Sequence, residues 1–301
     1  MSHPLNGAAP LPHLGVIRAQ GEEAAKFLHN QLTQDFALLG TGEARLAAFC
    51  TAKGRMLASF IGLRRGSDEI LLVCSRDVLP AALKRLSMFV LRSKVKLTDA
   101  TAEHALYGLV GEPAATADPP WTLREAAGGL RVQLYPADAQ PRALWIGPAG
   151  AAAPAQPALA LSLWQWAEVR SGVATVTQPI VEAFVPQMLN YESIGGVNFK
   201  KGCYPGQEVV ARSQFRGTLK RRAFLAHCAG ELAVGQEVFQ AGDPDQPAGL
   251  VAEAAPHPGG GWDAIVSLQL AAAEAGDLHA GRTDGPALKL LPLPYLLLAD
   301  V

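Results

Sequence analysis

One short segment, residues 198–212, carries most of the side chains in this chain that could do chemistry. It reads NFKKGCYPGQEVVAR and brings a thiol, two neighbouring ammonium groups, a carboxamide, a carboxylate and a guanidinium close together. The thiol belongs to Cys203, which follows Lys200 and Lys201. A thiolate is the reactive form of cysteine, and neighbouring cations favour it over the thiol. The segment therefore predicts a functional thiol at Cys203.

The residues after Cys203 predict a turn followed by a helix. Pro205 and Gly206 suit the centre of a type II turn, because proline presets the first φ and glycine accepts a positive second one. Residues 207–212 contain no helix breaker and place Glu208 in the first turn of a helix. Cys203 would precede the positive end of that helix, which also favours a thiolate. The alternative is a buried cysteine in a tight turn, since free cysteine is often buried; the flanking glycines and charges favour the functional thiol.

The same segment resembles a known family. Residues 201–208, KGCYPGQE, followed by VVAR, closely resemble the signature of the YgfZ family of folate-binding proteins, relatives of the glycine-cleavage aminomethyltransferase, or T-protein. A second stretch, residues 52–55 (AKGR), resembles the amino-terminal half of that family. The order and spacing of the matches extend the resemblance over nearly the whole chain. The other matching positions are Trp166, Arg170, Gly172, Asn190 and residues 184–187, 195–197, 215–217 and 220–221.

The resemblance implies an α+β architecture of the GcvT-like fold. Two ferredoxin-like α/β subdomains, roughly residues 1–100 and 101–217, would form a folate-binding body over residues 1–217. A C-terminal antiparallel β-barrel would follow over residues 218–301, with the three parts arranged around a central hole.

The resemblance also implies a function. The protein would be a tetrahydrofolate-binding accessory factor that supports iron–sulfur cluster assembly or repair and iron–sulfur-dependent tRNA modification. Its cofactor would be tetrahydrofolate or a derivative, and its partners would be iron–sulfur client or assembly proteins. Two alternatives stay open: a tetrahydrofolate-dependent aminomethyltransferase or demethylase, and a thiol regulator that uses Cys203 without folate.

Roles for the residues of the signature follow from the resemblance. Cys203 would be the functional thiol, and Lys201 would favour its ionised form. Tyr204 would stack or hydrogen-bond, and Gln207 and Glu208 would supply directed polar contacts.

The guanidinium of Arg212 has two expected roles. It would bind an anionic group, or it would brace the carboxylate of Glu208, four residues earlier in the helix.

Folate contacts are expected from outside the signature as well. A pterin needs hydrogen-bond partners, and the glutamate tail needs cations. Candidates are Arg170 and Asn190 in the central segment, and Lys53 and Arg55 at the tip of a predicted hairpin.

The chain departs from the family at the head of that hairpin. Many members carry an acidic residue where this chain has Thr51, and the T-protein relies on a carboxylate near the folate nitrogens. Whether the protein is an enzyme therefore stays open, with Asp35, Asp68 and Asp99 as unplaced substitutes. A second departure, Pro205 where a hydroxyl residue is frequent, suits the predicted turn.

Composition narrows the class of protein. The 301 residues are 49% hydrophobic and 18% charged, which is typical of a globular protein. A net charge of −1 indicates no global basic field, so direct nucleic-acid binding is not expected. Phosphate-loop, dinucleotide-binding, HExxH and GxSxG motifs are missing from the sequence. A local cationic patch is still predicted from Lys200, Lys201, Arg212, Arg216 and residues 220–222.

The cysteines and the hydrophobic runs indicate a compartment. Cys50, Cys74 and Cys228 lie in apolar runs and are predicted to be core residues. With no CxxC pair, neither a metal site nor a disulfide framework is expected, which fits a reducing compartment. The N-terminus lacks a secretory signal, and no apolar run approaches the roughly 18 residues of a spanning helix. We therefore expect a cytoplasmic monomer without membrane contact.

Periodicity predicts the elements that position the site. In the first half, residues 14–18, 44–50, 55–63, 69–74 and 94–97 are predicted as strands, and residues 21–33 and 77–91 as helices. In the second, residues 104–111, 130–135 and 142–146 are predicted as strands, and residues 161–171 as a helix that ends at Gly172. Residues 112–120 are predicted to be a loop and residues 147–157 a mobile linker. The barrel strands are predicted at residues 222–228, 236–240, 249–254, 264–271 and 287–291.

Overall fold

The computed structural model describes residues 5–215 and 219–298. These residues form two five-stranded antiparallel sheets and a closed six-stranded barrel. The α+β architecture with a C-terminal barrel, predicted from the sequence, is confirmed. The predicted boundary between body and barrel, at residue 217, falls outside the described residues.

The first part of the body contains five strands of one sheet and two helices. An edge strand of the second sheet comes before them in the chain. In chain order the elements are β1 (Gly7–Pro10), β2 (Leu14–Gln20), α1 (Ala24–Gln31), β3 (Ala44–Cys50), β4 (Met56–Arg64), β5 (Glu69–Ser75), α2 (Leu79–Ser87) and β6 (Lys96–Asp99).

The second part of the body and the barrel follow. The body adds β7 (His104–Val110), β8 (Leu123–Ala126), β9 (Gly129–Ala137), β10 (Gln140–Pro148), α3 (Leu161–Arg170) and α4 (Gln207–Phe215). The barrel contains β11 (Arg221–Cys228), β12 (Glu237–Gln240), β13 (Gly249–Pro256), β14 (Trp262–Gln269), α5 (Leu270–Ala275), β15 (Leu278–Ala280) and β16 (Ala287–Leu291).

The strand orders show how the chain crosses over. The first sheet has the order β3-β4-β5-β2-β6, and the second has the order β1-β7-β10-β9-β8. β1 therefore belongs to the second sheet, where Gly7 pairs with Val110 and Pro10 with Tyr107. The barrel has the order β11-β14-β13-β12-β15-β16, and the pairing of β16 with β11 closes it.

The helices pack through one apolar face each. In α1 the buried residues Ala24, Phe27 and Leu28 recur at the spacing of one helix face. They pack in one hydrophobic cluster with Ile17 and Phe60 from the first sheet. This packing fixes the carboxyl end of α1, which the site described below uses.

A second hydrophobic cluster joins the three parts. It contains Cys50 and Met56 from the hairpin, Tyr191 from the central segment, Val210 from α4 and Ile265 from the barrel. The central segment between α3 and α4 therefore packs between the first sheet and the barrel. No helix in the described part of the chain is long and apolar enough to cross a membrane.

Several predicted boundaries are corrected by the structure. Residues 147 and 148 continue β10, and the Ala8 N–H donates to the carbonyl oxygen of Pro157 at 2.9 Å, so both ends of the predicted linker are held by strands. Leu270 and Ala271, predicted to end a barrel strand, begin α5 instead. The short strands β1, β8 and β15 were not predicted from the sequence.

Candidate functional site

Two turns that are distant in sequence meet at the site. The hairpin turn between β3 and β4 packs on the turn at Pro205 and Gly206. A Cβ at Gly206 would lie 2.4 Å from the carbonyl oxygen of Thr51, and one at Gly54 would lie 3.0 Å from the Cβ of Val209. The structure therefore joins the AKGR stretch and the cysteine signature, which the sequence analysis treated separately.

The turn after Cys203 has the predicted geometry. The Gln207 N–H donates to the carbonyl oxygen of Tyr204 at 3.2 Å, and Gly206 has a φ of 83°. These values match a type II turn with Gly206 at its third position. The helix α4 begins at Gln207, directly behind the turn, as predicted.

Cys203 differs from the other cysteines in its exposure. Its side chain is exposed, whereas Cys50, Cys74 and Cys228 are buried. Burial raises the pKa of Cys50 and of Cys74 to about 12, so neither forms a thiolate at neutral pH. Of the four cysteines, all within the described residues, only Cys203 is open to a solvent-borne reactant.

Lys201 fastens the cysteine loop to α1. Its Nζ donates to the carbonyl oxygens of His29 and Leu32, the latter at 2.8 Å, and lies 4.5 Å from the centre of the Tyr204 ring. These carbonyls belong to the end of α1, where they have no partner within the helix. Burial lowers the pKa of Lys201 to about 8, against the opposing effects of Asp35 and Cys203.

The remaining signature residues lie on both sides of the turn. Tyr204 is buried, and burial raises the pKa of its phenol. Gln207 is half-buried, and Glu208 and Arg212 are exposed on α4. Among the ion pairs of the described residues, none joins Glu208 to Arg212, so the helix brace considered from the sequence is not formed.

The two cations of the hairpin turn differ in exposure and in hydrogen bonding. Lys53 is exposed, whereas Nη1 of Arg55 donates to the carbonyl oxygen of Ala183 at 2.6 Å. The Thr51 hydroxyl accepts the backbone N–H groups of Lys53 at 3.2 Å and Arg55 at 3.3 Å. The Thr51 hydroxyl thus stabilises the turn itself.

Arg170 and Asn190 both have partners within the protein. Arg170 pairs with Asp138 at 2.5 Å and with Asp263 at 3.5 Å. Asn190 is fully buried, and its amide exchanges two hydrogen bonds with the backbone of Ala223 at 2.9 and 3.1 Å. Asn190 therefore ties the central segment to β11, and a folate contact for either residue stays a prediction.

Some residues of the predicted cationic patch are exposed, and others are buried. Lys200, Arg212 and Lys220 are exposed, whereas Lys201 is buried. Arg222 is buried as well and pairs with Glu192 at 2.7 Å. The predicted member Arg216 lies outside the described residues.

A small central cavity separates the two sheets from the central segment. Its volume is about 50 Å³, and its walls include Ser59, Trp164, Glu168, Thr175 and Tyr191. The Nε1 of Trp164 is buried and has no hydrogen-bond partner within the described structure. The cavity therefore combines an aromatic wall, an unused donor and a carboxylate.

Two more charged groups lie behind this wall. The guanidinium carbon of Arg142 lies 4.5 Å from the centre of the Trp164 ring. Glu253 accepts the Thr175 N–H at 2.9 Å. Burial, followed by the neighbouring carboxylate of Glu168, raises the pKa of Glu253 to about 8, although Arg142 and the Thr175 N–H oppose the rise. Folding therefore favours the protonated form of Glu253.

Comparison with known proteins identifies the family. The chain is 32% identical over 226 residues to the tRNA-modifying protein YgfZ of Colwellia psychrerythraea, an alignment that covers 71% of this chain and 69% of the relative. It is 30% identical over 309 residues to the protein of the same name from Edwardsiella ictaluri, covering 93% and 89% of the two chains. The chain belongs to the YgfZ family. No protein-family model matches it.

The fold of this YgfZ-family chain has a solved counterpart. The glycine cleavage system aminomethyltransferase T from Bartonella henselae superposes with a TM-score of 0.65 at 17% identity, over 98% of this chain and 88% of that one. At this identity the likeness concerns the fold alone. The predicted GcvT-like fold, with two sheets of ferredoxin-like type and a barrel, is confirmed.

The charged residues around the central cavity of this YgfZ-family chain were not predicted from the sequence. Trp164 and Glu168 lie four positions apart on α3 and share one helix face, a signal that was available. Arg142 and Glu253 come from β10 and β13 and had no local signal. Their proximity follows from tertiary packing only.

Proposed function

We propose that this YgfZ-family chain is a tetrahydrofolate-binding accessory protein in tRNA modification that supports iron–sulfur enzymes through the thiol of Cys203. The observation that carries the proposal is the placement of this thiol. It is exposed on a loop that Lys201 fastens to α1, and the following turn packs on the hairpin. The names of the two relatives support a role in tRNA modification.

The walls of the central cavity fit a pterin in their chemistry. A pterin presents N–H donors and ring acceptors on a flat aromatic system. Glu168 offers an acceptor, the unused Nε1 of Trp164 offers a donor, and Tyr191 adds a ring and a hydroxyl. At about 50 Å³ the cavity is much smaller than typical ligand pockets of roughly 300–1,000 Å³, so binding requires its walls to move apart.

Three residues have roles in the proposed binding of folate. Trp164 and Glu168 would hold and orient the ring, and the exposed Lys53 would attract the anionic glutamate tail. Tetrahydrofolate, when bound, supplies two nitrogens that can carry a one-carbon unit. Cys203 does not line the cavity, so its thiol and the pterin site are separate parts of the proposal.

Calorimetric titration with tetrahydrofolate tests the ligand. We expect saturable binding to the wild-type protein and weaker binding to Glu168→Gln, because the carboxylate acceptor is lost. Glu237→Gln, an exposed strand glutamate, is the matched control and should bind as the wild type does. If the wild-type protein binds no tetrahydrofolate, the folate-independent thiol regulator becomes the better hypothesis.

A further inference from the structure

We propose that His29, oriented by Asp35, accepts the proton of the Cys203 thiol. The proposal rests on the functional role proposed above for that thiol. Both residues come from the end of α1 and the loop after it, about 170 positions before the cysteine. Neither residue had a role assigned from the sequence, where Asp35 stayed an unplaced acid.

Asp35 fixes the tautomer of His29. The Nδ1 of His29 lies 3.0 Å from Oδ1 of Asp35, and the same oxygen accepts the Leu38 N–H at 3.0 Å. Burial raises the pKa of Asp35, but the hydrogen bonds from Leu38 and His29 outweigh it and leave the pKa below its ordinary value. A carboxylate only accepts hydrogen bonds. Nδ1 of a neutral His29 therefore carries the proton, and Nε2 carries the lone pair.

The free nitrogen faces the cysteine loop. A Cβ placed on Gly202 would lie 3.5 Å from Nε2 of His29, and Gly202 is the residue before Cys203. Nε2 has no hydrogen-bond partner among the described residues, and the His29 side chain is 16% exposed. A basic nitrogen held by a carboxylate on one side and open towards a thiol-bearing loop on the other has the arrangement of a general base and its orienting acid.

Lys201 keeps the loop and the histidine together. Its ammonium donates to the carbonyl oxygen of His29 itself, so the backbone that carries the imidazole and the backbone that carries the thiol are joined. Gly202 has no side chain to separate the ring from the loop. Lys201 therefore keeps the loop beside Nε2. In the described structure the Cys203 thiol makes no hydrogen bond to this nitrogen, so the transfer requires a turn of the Cys203 side chain or one bridging water.

The step moves one proton. The S–H bond of Cys203 breaks, an N–H bond forms at Nε2 of His29, and a neutral pair becomes a thiolate and an imidazolium. The carboxylate of Asp35 stabilises the imidazolium. No oxidant, reductant or further reactant is required.

Alkylation of the native protein by iodoacetamide tests the inference. The rate of modification of Cys203 at pH 7 is followed by mass spectrometry, with Cys203→Ser to confirm the site. We expect His29→Gln to lower the rate about tenfold, since positioned bases contribute at least that much to proton transfer. Asp35→Asn should lower it by a smaller factor, because the ring loses its orientation. His13→Gln, a histidine outside the loop, is the matched control and should react at the wild-type rate.

The outcomes separate this inference from the proposed function. A His29→Gln protein that melts like the wild type and is alkylated within twofold of its rate would overturn the role of His29. If His29→Gln unfolds, His29→Asn serves for the same measurement. A slower His29→Gln together with a Cys203→Ala that still supports iron–sulfur enzymes in cells would retain the proton acceptor and refute the function.

Discussion

Among single residues, Lys201 has a different role in the structure from the one that the sequence predicts. The sequence predicts an ammonium beside a thiol, where its positive charge would favour the thiolate. In the structure Nζ is directed at the carbonyl oxygens of His29 and Leu32, at the carboxyl end of α1. Its main physical effect is therefore to hold the loop in place. No local pattern could predict this, because the partners lie 172 and 169 positions away.

Lys201→Met tests the fastening. The variant keeps the length of the side chain but leaves two carbonyl groups without their donor, which costs about 1–3 kcal/mol for a buried polar group. We expect the free energy of unfolding in urea to fall by that amount. Lys200→Met is the control: Lys200 is exposed, and its replacement should change the stability by less than about 0.5 kcal/mol. Equal changes in the free energy of unfolding for the two substitutions would show that the hydrogen bonds of Lys201 do not stabilise the loop.

At the scale of elements, the site depends on the packing of two turns. Each turn was predictable from the sequence, because glycine and proline impose their conformations locally. The contact between them was not, since it depends on the paths of α3, the central segment and the hairpin. Gly206 marks the contact, with a positive φ of 83° and the carbonyl oxygen of Thr51 where a Cβ would lie.

Gly206→Ala tests this contact. The methyl group would meet the oxygen at 2.4 Å in a backbone conformation that alanine rarely adopts. We expect a loss of more than about 1 kcal/mol, seen as a lower melting temperature. Gly202→Ala is the control, because a Cβ there meets only the ring of His29, at an ordinary 3.5 Å. A Gly206→Ala protein as stable as Gly202→Ala would contradict the described packing.

The sequence predicted the long, regular elements best. The hairpin strands Ala44–Cys50 and Met56–Arg64 and the helix Leu161–Arg170 lie within a residue of their predicted positions, because each is long enough to show its period. The helices Ala24–Gln31 and Leu79–Ser87 are shorter than predicted, because apolar residues continue past their ends. Leu32 is buried in the loop after the first helix, whereas Met88 and Leu91 are exposed after the second. In the site, the charges and glycines around Cys203 predicted its exposure and the turn that follows it, and its function stays a prediction. The orientation of His29 had no local signal, because it depends on tertiary contacts.

At the scale of the whole molecule, the central cavity concentrates buried charge between the parts of the fold. Glu253 of the barrel, Glu168 of α3 and Arg142 of the second sheet approach one another there. A carboxyl group whose pKa is raised by folding makes stability depend on pH. The native state keeps a proton that the unfolded chain releases between an ordinary pKa of 4.5 and a native pKa of about 8.

Glu253→Gln tests this dependence. In the wild type, the native state binds more protons than the unfolded state in that interval, so this group lowers the stability as the pH rises. Glutamine does not titrate, and we expect the variant to gain stability relative to the wild type between pH 5 and pH 8. Urea unfolding at several pH values measures the difference, with Glu237→Gln as an exposed control. A difference that does not change with pH would refute the raised pKa.

Complementation in cells measures whether the Cys203 thiol is needed for function. In cells that lack their own YgfZ, the activity of an iron–sulfur enzyme that thiolates tRNA is compared for the wild type, Cys203→Ala and the buried-cysteine control Cys228→Ala. We predict that the wild type and Cys228→Ala restore the activity, and that Cys203→Ala does not, although it folds with an unchanged melting temperature. Full restoration by Cys203→Ala would show that the thiol has no role in this function.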